Sequence, residues 1–244
     1  MPNREIVIDP AFEGPPASAH GGYACGMLAP HLPADAEITL RKPVPLGTAL
    51  ELVPYHGGLA LHDGTTVVAE GASTRLENGA PEPPAFAEAL AATASFPGLR
   101  SHPYPRCVGC GTGRTDAVAL RLFPGPLVTR DLVAAVWYPS PDATAGGLIR
   151  PEFAWAALDC PGGWAAILFG RVDRPAVLGR MAARLLGPIT AQSAHIVVGW
   201  LIQPAVGVSG RKLAAGSALY SRDGVLQGFA RQTWISLANP GRQP

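Results

Sequence analysis

The sequence is short of charge and of long apolar runs, and each shortage excludes a class of protein. Charged residues make up 15% of the 244, with a formal net charge of +1, so the basic surface of a nucleic-acid-binding protein is not expected. No run of 18 apolar residues occurs, so neither a transmembrane helix nor a membrane partner is predicted. The chain has no basic start followed by an apolar stretch, which favours a cytoplasmic protein without a signal peptide.

Cysteine is also scarce, with four residues at Cys25, Cys107, Cys110 and Cys160. Two of them lie in apolar helical segments, which is typical of reduced thiols rather than of a disulfide framework. The segment Cys107-Val-Gly-Cys110-Gly resembles half of a zinc site, and His102 lies near it. A fourth ligand has no evident source, so a knuckle-like turn is the favoured interpretation. No metal and no cofactor are therefore predicted.

What the sequence does contain is an internal repeat, which is the first pattern to look for in an unfamiliar chain. Residues 9–24 (DPAFEGPPASAHGGYA) and 150–165 (RPEFAWAALDCPGGWA) align without a gap at an offset of 141. A weaker echo follows in the same order, with Arg41 matching Arg184 at an offset of 143. The preserved order indicates two copies of one unit, with longer strands or loops in the second.

Each copy predicts the same layout: a short strand, an apolar helix and then several strands. The helices, at about 17–28 and 152–169, are apolar on nearly all sides and must therefore be buried. Asp63-Gly64 and Asp223-Gly224 predict hairpin turns, since glycine tolerates positive φ. The strands are predicted at 4–8, 38–44, 49–53, 59–62 and 66–75, and at 117–123, 179–186, 194–202, 211–221 and 225–237. The pattern favours an α+β fold in which a curved antiparallel sheet wraps a buried helix.

A proline-rich linker over about 77–105 separates the copies, because proline-rich stretches are poor interiors for helices and strands. We expect an N-terminal domain over 1–96 and a C-terminal domain over 97–244. Within the linker, residues 84–95 (PAFAEALAATAS) predict a short connecting helix.

With the repeat established, the sequence resembles the hotdog thioesterase superfamily in its double-hotdog form. The resemblance covers most of the chain and rests on SAHGGYA at 18–24 and on the hairpin at 210–232, which is similar to the acyl-CoA thioesterase II type. It implies a tandem double hotdog that hydrolyses an acyl-CoA or related acyl thioester where the helix of one copy faces the sheet of the other. A homodimer is also expected, since hotdog sheets often pair. The alternative is a non-catalytic binder of an acyl or other lipophilic small molecule.

The resemblance also implies roles for single residues. His20-Gly21-Gly22 is similar to the family's HGG motif, in which a glycine amide at a helix N-terminus donates to the thioester carbonyl. Asp159 matches by position the aspartate that orients the water in the family. Gln232 matches the family's functional glutamine and would hold the same water. The structural alternatives are close packing for the glycines, helix capping for Asp159 and an edge or surface position for Gln232.

The second copy supplies further candidates, and the resemblance has gaps. Gly162, Gly163 and Trp164 are assigned, together with His20, to substrate binding. The family's third polar residue, usually threonine, falls near Leu178 and is missing. The acid found about nine residues after the histidine in single hotdogs falls at Ala29 and Gly170. Reserve candidates for a general base are His20, Glu13 and His195.

Overall fold

Strands dominate the structure, and the three α-helices of the described residues pack against them. The structure, a computed structural model, describes residues 4–33, 35–127, 129–206 and 210–237, and only the backbone at 204–206. The α-helices are α1 (Gly21–Leu28), α2 (Phe86–Ala94) and α3 (Pro151–Phe169). The strands are β1 (Arg4–Val7), β2 (Ala36–Leu40), β3 (Ala49–Tyr55), β4 (Gly58–Asp63), β5 (Thr66–Ser73), β6 (Gly125–Pro126), β7 (Leu132–Trp137), β8 (Thr144–Ala145), β9 (Leu148–Ile149), β10 (Ala176–Leu185), β11 (His195–Val206), β12 (Lys212–Ser221) and β13 (Leu226–Ser236).

Eleven strands form one antiparallel sheet, in the order β1-β3-β4-β5-β2-β10-β13-β12-β11-β7-β6. Strands β8 and β9 pair with each other outside it. The first five strands lie in the order β1-β3-β4-β5-β2, and the later strands run β7-β11-β12-β13-β10, which is the same order in their own sequence. The two halves join where β2 pairs with β10, with Ile38 opposite Met181.

Helix α3 lies against the second half of the sheet and fills the main core. It packs on β11, β12 and β10, and its residues from Phe153 to Ala166 are all buried. Gly199 of β11 permits this contact, because a Cβ there would lie 2.2 Å from the carbonyl oxygen of Pro161. The prediction that this helix is buried on all sides is confirmed.

Helix α1 begins later than the sequence predicts, at Gly21 instead of about residue 17. The preceding Pro15 and Pro16 lack N–H groups and disfavour helical backbone in the residues before them. Ala17 then has a φ of +59°, which no α-helix contains. The chain is therefore free to enter a right-handed helix only after these residues.

One predicted strand is wrong. Residues 117–123 form a loop, and β7 occupies the position next to β11 instead. Ala119, Leu120 and Leu122 of this loop are buried, and the Leu120 N–H donates to the Val108 carbonyl. Arg121 has a φ of +50°, which breaks an extended strand. The other predicted strands are confirmed, with ends shifted by at most about four residues.

The predicted turns and linker helix are confirmed. Gly64 and Gly224 have φ values of +56° and +84° in their hairpin turns. Helix α2 precedes the expected domain boundary at residue 96 but packs on β7 and β11 of the second half, where Ala89 and Ala92 join an apolar cluster. Among the described residues, no helix is long and apolar enough to cross a membrane.

Candidate active site

The N-terminus of α1 meets the middle of α3, and Asp159 lies at the point of contact. The Gly22 N–H donates to Asp159 Oδ2 at 2.6 Å. His20 caps α1 because its Nδ1 accepts from the Tyr23 N–H at 3.3 Å, and its Nε2 lies 3.4 Å from the same carboxylate oxygen. Asp159 is only 2% exposed. The positive end of the helix dipole and the donated hydrogen bonds offset the cost of burying this carboxylate.

The two helices approach so closely that only glycine fits along the α1 face. A Cβ on Gly22 would lie 2.5 Å from Asp159 Cβ and 2.7 Å from the Trp155 carbonyl oxygen. A Cβ on Gly26, one turn later, would lie 2.6 Å from Glu152 Cα. The packing role and the donor role of Gly22 therefore coexist, since close contact is what brings its N–H to the carboxylate.

The buried pair at this contact has shifted protonation. Burial raises the pKa of Asp159 to about 6, although His20 and the Gly22 N–H act in the opposite direction. Burial lowers the pKa of His20, but the negative charges of Asp159 and Cys107 outweigh it and raise the value to about 9. The Tyr23 N–H bond requires Nδ1 of His20 to be unprotonated, so the geometry supports a neutral ring with its proton on Nε2 rather than the imidazolium that this pKa would give at neutral pH. Asp159 Oδ1 has no hydrogen-bond partner among the described residues.

A cavity of about 400 Å³ opens on this contact. Its polar wall includes His20, Gly21 and Asp159, and Asp159 is the one acidic residue that lines it in the described parts of the chain. Most of the remaining wall is apolar: Leu40, Val44, Trp164, Ile167, Leu178 and Trp234. An apolar cavity with a few convergent polar groups is the usual form of a small-molecule site.

Gln232 lies behind α3 and is not among the residues that line the cavity. Its Nε2 donates to the Leu158 carbonyl at 2.6 Å and to Ser217 Oγ at 3.1 Å. Its Oε1 accepts from Trp234 Nε1 at 2.7 Å. The structure thus places Gln232 against the residue before Asp159 with its amide already bonded on both sides. Its role as holder of the water stays a prediction.

The predicted second-copy residues lie inside α3. Gly162 and Gly163 are in the middle of the helix, where an amide normally donates to the preceding turn. A Cβ on Gly162 would lie 1.8 Å from Gln232 Oε1, and one on Gly163 would lie 2.6 Å from the Trp234 ring. Gly163 and Trp164 line the cavity, whereas Gly162 does not. These glycines let the sheet approach the helix closely.

Two reserve candidates for a base lie away from the cavity wall. Glu13 accepts from Arg106 Nε at 2.8 Å. His195 is fully buried in β11, with Nδ1 2.8 Å from Gln227 Oε1 and Nε2 3.1 Å from the Thr190 carbonyl oxygen. Neither residue lines the cavity. His20 is the reserve candidate that the structure brings to Asp159.

Sequence reasoning missed a cluster of sulfur and imidazole groups on the same cavity wall. We call Cys107, Cys110 and Cys160, with His20 and His102, the cysteine cluster. Cys107 Sγ lies 3.9 Å from both Cys110 Sγ and Cys160 Sγ. His20 Nε2 lies 3.3 Å from Cys160 Sγ, and His102 Nε2 lies 3.3 Å from Cys110 Sγ. The available signal was that Cys160 directly follows Asp159.

Comparison with known proteins supports the fold. No protein-family model matches the sequence, and no curated protein matches it. A protein with a hot dog fold from Alicyclobacillus acidocaldarius is 12% identical, with a TM-score of 0.55, covering 97% of this chain and 93% of its own. A protein described as a candidate thioesterase from Novosphingobium aromaticivorans is 13% identical, with a TM-score of 0.60, covering 97% and 96%. One described as a candidate thioesterase II from Thermobifida fusca is 14% identical, with a TM-score of 0.58, covering 98% and 93%. This chain therefore has the α+β hotdog fold.

Proposed function

We propose that this protein is a thioesterase that hydrolyses an acyl-CoA or a related acyl thioester in the cavity between α1 and α3. Asp159 carries the proposal, because it is a buried carboxylate on an apolar cavity with one oxygen held by a helix N-terminus and the other without a partner among the described residues. A pKa raised to about 6 leaves it mostly ionised at neutral pH and able to accept a proton. The similar structures described as thioesterases support the same class.

We also propose that the chain is a tandem double hotdog, with the site at the seam between its two copies. Both halves of the sheet share one strand order. Where the two halves join, the strand pairing has the symmetry of a two-fold axis. Adding the offset of 143 to residue 38 gives residue 181, and Ile38 is the residue that pairs with Met181. The same offset relates the two neighbouring pairs to each other. It takes residue 37 to 180 and residue 39 to 182, so the pair Glu37–Ala182 corresponds to the pair Arg180–Thr39. A self-complementary contact of this kind is expected when two copies of one unit pair.

In the proposed reaction, the acyl chain lies along the apolar wall and the carbonyl oxygen accepts from the Gly21 N–H. Gly21 is the first helical residue of α1, and its N–H has no hydrogen-bond partner among the described residues. The Gly22 N–H is already bonded to Asp159, so it serves to orient the carboxylate. Asp159 Oδ1 takes a proton from water as the water oxygen attacks the carbonyl carbon. The Gly21 N–H stabilises the oxyanion. As the oxyanion collapses, the carbon–sulfur bond breaks and the proton held by Asp159 passes to the leaving sulfur, which releases the thiol and the carboxylic acid and restores the carboxylate.

One such site per chain follows from the repeat. The offset of 141 matches Asp159 to Ser18, which has no carboxylate, and matches Gly22 to Gly163, whose amide lies inside a helix. The second contact between the copies therefore lacks both the base and the free helix N-terminus. Gln232 supports the working site from behind α3. Direct contact with the water would require it to release one of its three bonded partners.

The alternative is a non-catalytic binder of an acyl or other lipophilic ligand. Leu178 favours it, because this side chain lies on the cavity wall where the family's third polar residue is expected. The two functions are distinguished by whether a bound thioester is hydrolysed.

The test is hydrolysis of a panel of acyl-CoA substrates of different chain lengths by the wild type, by Asp159→Asn and by Asp63→Asn, a hairpin-turn control. We expect turnover of at least one substrate, loss of about 100- to 10,000-fold in kcat for Asp159→Asn, and no change for Asp63→Asn. Asparagine can still accept from the Gly22 N–H, so the fold should persist. Full activity in Asp159→Asn would contradict the mechanism. Binding of an acyl thioester without turnover would establish the alternative.

The expected homodimer is checked by analytical ultracentrifugation.

A further inference from the structure

Part of the cysteine cluster has the spacing of a metal site: the ligand atoms of His20, Cys107 and Cys160 all lie within 4.8 Å of one another, and Cys110 joins them through Cys107. In a tetrahedral zinc site the Zn–S bonds are about 2.3 Å, which places two sulfurs about 3.8 Å apart. Cys107 Sγ is 3.9 Å from Cys110 Sγ and 3.9 Å from Cys160 Sγ. All three residues are at least 95% buried, with Cys107 and Cys160 at 5% exposed and Cys110 at 4%. The sequence offered only the two cysteines of the knuckle, and the fold supplies the third from α3.

We propose that Cys107, Cys110 and Cys160 bind one zinc ion as thiolates. Thiolate is the form of cysteine that binds this metal, so binding would release protons. The sulfurs come from a loop and a helix, with Cys107 and Cys160 53 residues apart in the chain. A divalent cation between them offsets the repulsion that their thiolate forms would otherwise have in a buried site.

The two histidines act as donors to the sulfurs and do not bind the metal. His20 Nδ1 accepts from the Tyr23 N–H, and His102 Nδ1 accepts from the Tyr104 N–H at 2.9 Å. Each ring therefore carries its proton on Nε2, the nitrogen that faces sulfur. A histidine that ligates zinc through Nε2 instead donates from Nδ1 to an acceptor, and no acceptor is placed at either Nδ1 among the described residues.

The fourth position therefore falls to a small molecule from the cavity. Cys107, Cys110 and Cys160 all line that cavity, and Trp164 Nε1 adds a further donor to Cys110 Sγ at 3.5 Å. Three protein ligands with an open position are the arrangement of zinc sites that bind water or substrate. The ligand class would be water or a thiol, since a thiolate is a preferred ligand of zinc.

Metal content is the primary test. We expect about one zinc per chain in wild type purified without chelator, and in the matched control Cys25→Ala, which changes a buried cysteine outside the cluster. After dialysis against a moderate chelator, Cys107→Ala, Cys110→Ala and Cys160→Ala should each lose the metal. His20→Asn and His102→Asn should retain it with affinity weakened by about 10- to 100-fold, the scale for residues that support metal ligands. Asp159→Asn should keep its zinc, so the metal site and the hydrolytic function are tested separately.

Cobalt substitution tests the metal site in the wild-type protein, so the result does not depend on whether the cysteine variants fold. Co²⁺ titrated into metal-free protein should give intense near-ultraviolet thiolate-to-metal absorption, retained in Cys25→Ala and in both histidine variants. Absence of this absorption, or wild-type protein that binds no zinc at equimolar concentration, would overturn the proposal. A Cys107–Cys110 disulfide found by mass spectrometry in protein that holds no metal would also overturn it and would identify the cluster as a redox pair.

Discussion

The two glycine pairs that the repeat aligns occupy different places in their helices. Gly21-Gly22 opens α1, where its amides face out of the helix and one of them binds Asp159. Gly162-Gly163 lies in the middle of α3, where the missing side chains make room for Gln232 and Trp234. The same sequence pattern thus produces an N-terminal donor site in one copy and close helix–sheet packing in the other.

A few residues upstream account for this difference. The first copy has Pro15 and Pro16 where the second has Ala156 and Ala157. Alanine is the best helix former and proline the worst, so α3 continues through this stretch while the first copy must begin its helix later. Under the proposed duplication, divergence at these two positions accounts for the single free helix N-terminus, and the change from Ser18 to Asp159 accounts for the single proposed base.

The largest expected effect comes from adding a methyl group to each pair in turn. Gly22→Ala places a Cβ 2.5 Å from Asp159 Cβ, which must push the carboxylate away from the helix N-terminus. A displacement of about 1 Å at a reacting group costs about 100-fold in rate, so we expect a kcat loss of that size. In the second pair, Gly162→Ala places a Cβ against Gln232 Oε1 instead of Asp159, so it should lower stability by about 1–3 kcal/mol through overpacking and keep most of the activity. Steady-state kinetics measures kcat for both variants. An equal loss of kcat in the two would contradict the assignment of a donor role to the first pair and a packing role to the second.

The second prediction sharpens the packing role of the second pair. Gln232→Leu removes the amide that fits beside Gly162 and leaves Ser217 Oγ and Trp234 Nε1 without their present partner. Stranded buried polar groups cost about 1–3 kcal/mol each, so the free energy of unfolding should fall by about 2 kcal/mol or more. Urea unfolding measures this change. A kcat loss as large as that of Asp159→Asn would support direct contact of Gln232 with the water, and a smaller loss would support a role through α3.

Much of this architecture was readable from the sequence, and the reasons are local. The apolar helices and the two Asp-Gly turns depend on residues within one element, so pattern alone predicts them. The start of α1 depends on Pro15 and Pro16, whose effect on the helix was overlooked. The segment 117–123 is rich in apolar residues, as strands are, but its buried residues Ala119, Leu120 and Leu122 belong to a loop. Cys107, Cys110 and His102 are close in the sequence, but only folding brings Cys160 and His20 to them, so the complete cysteine cluster could not be predicted.

The smallest expected effect concerns the second half of the sheet and is the pH dependence of stability. His195 in the second half is fully buried, and burial lowers its pKa, although bonds to Gln227 and Thr190 partly oppose this. A folded-state pKa below the unfolded value of about 6.5 means that the stabilisation is present above that pH and is lost as pH falls towards the folded pKa. The free energy of unfolding should therefore decline more steeply between pH 7 and pH 5 in wild type than in His195→Gln. Parallel profiles for the two proteins, by urea unfolding at each pH, would contradict this assignment.

The most direct test is a crystal structure with a non-hydrolysable ketone analogue of an acyl-CoA, in which a methylene group separates the carbonyl carbon from the sulfur. The account predicts one analogue per chain, with its carbonyl oxygen on the Gly21 N–H, the reacting carbon beside Asp159 Oδ1 and the acyl chain along the apolar wall of the cavity. An analogue whose oxygen accepts from a group other than the Gly21 N–H, or one bound out of reach of Asp159, would contradict it.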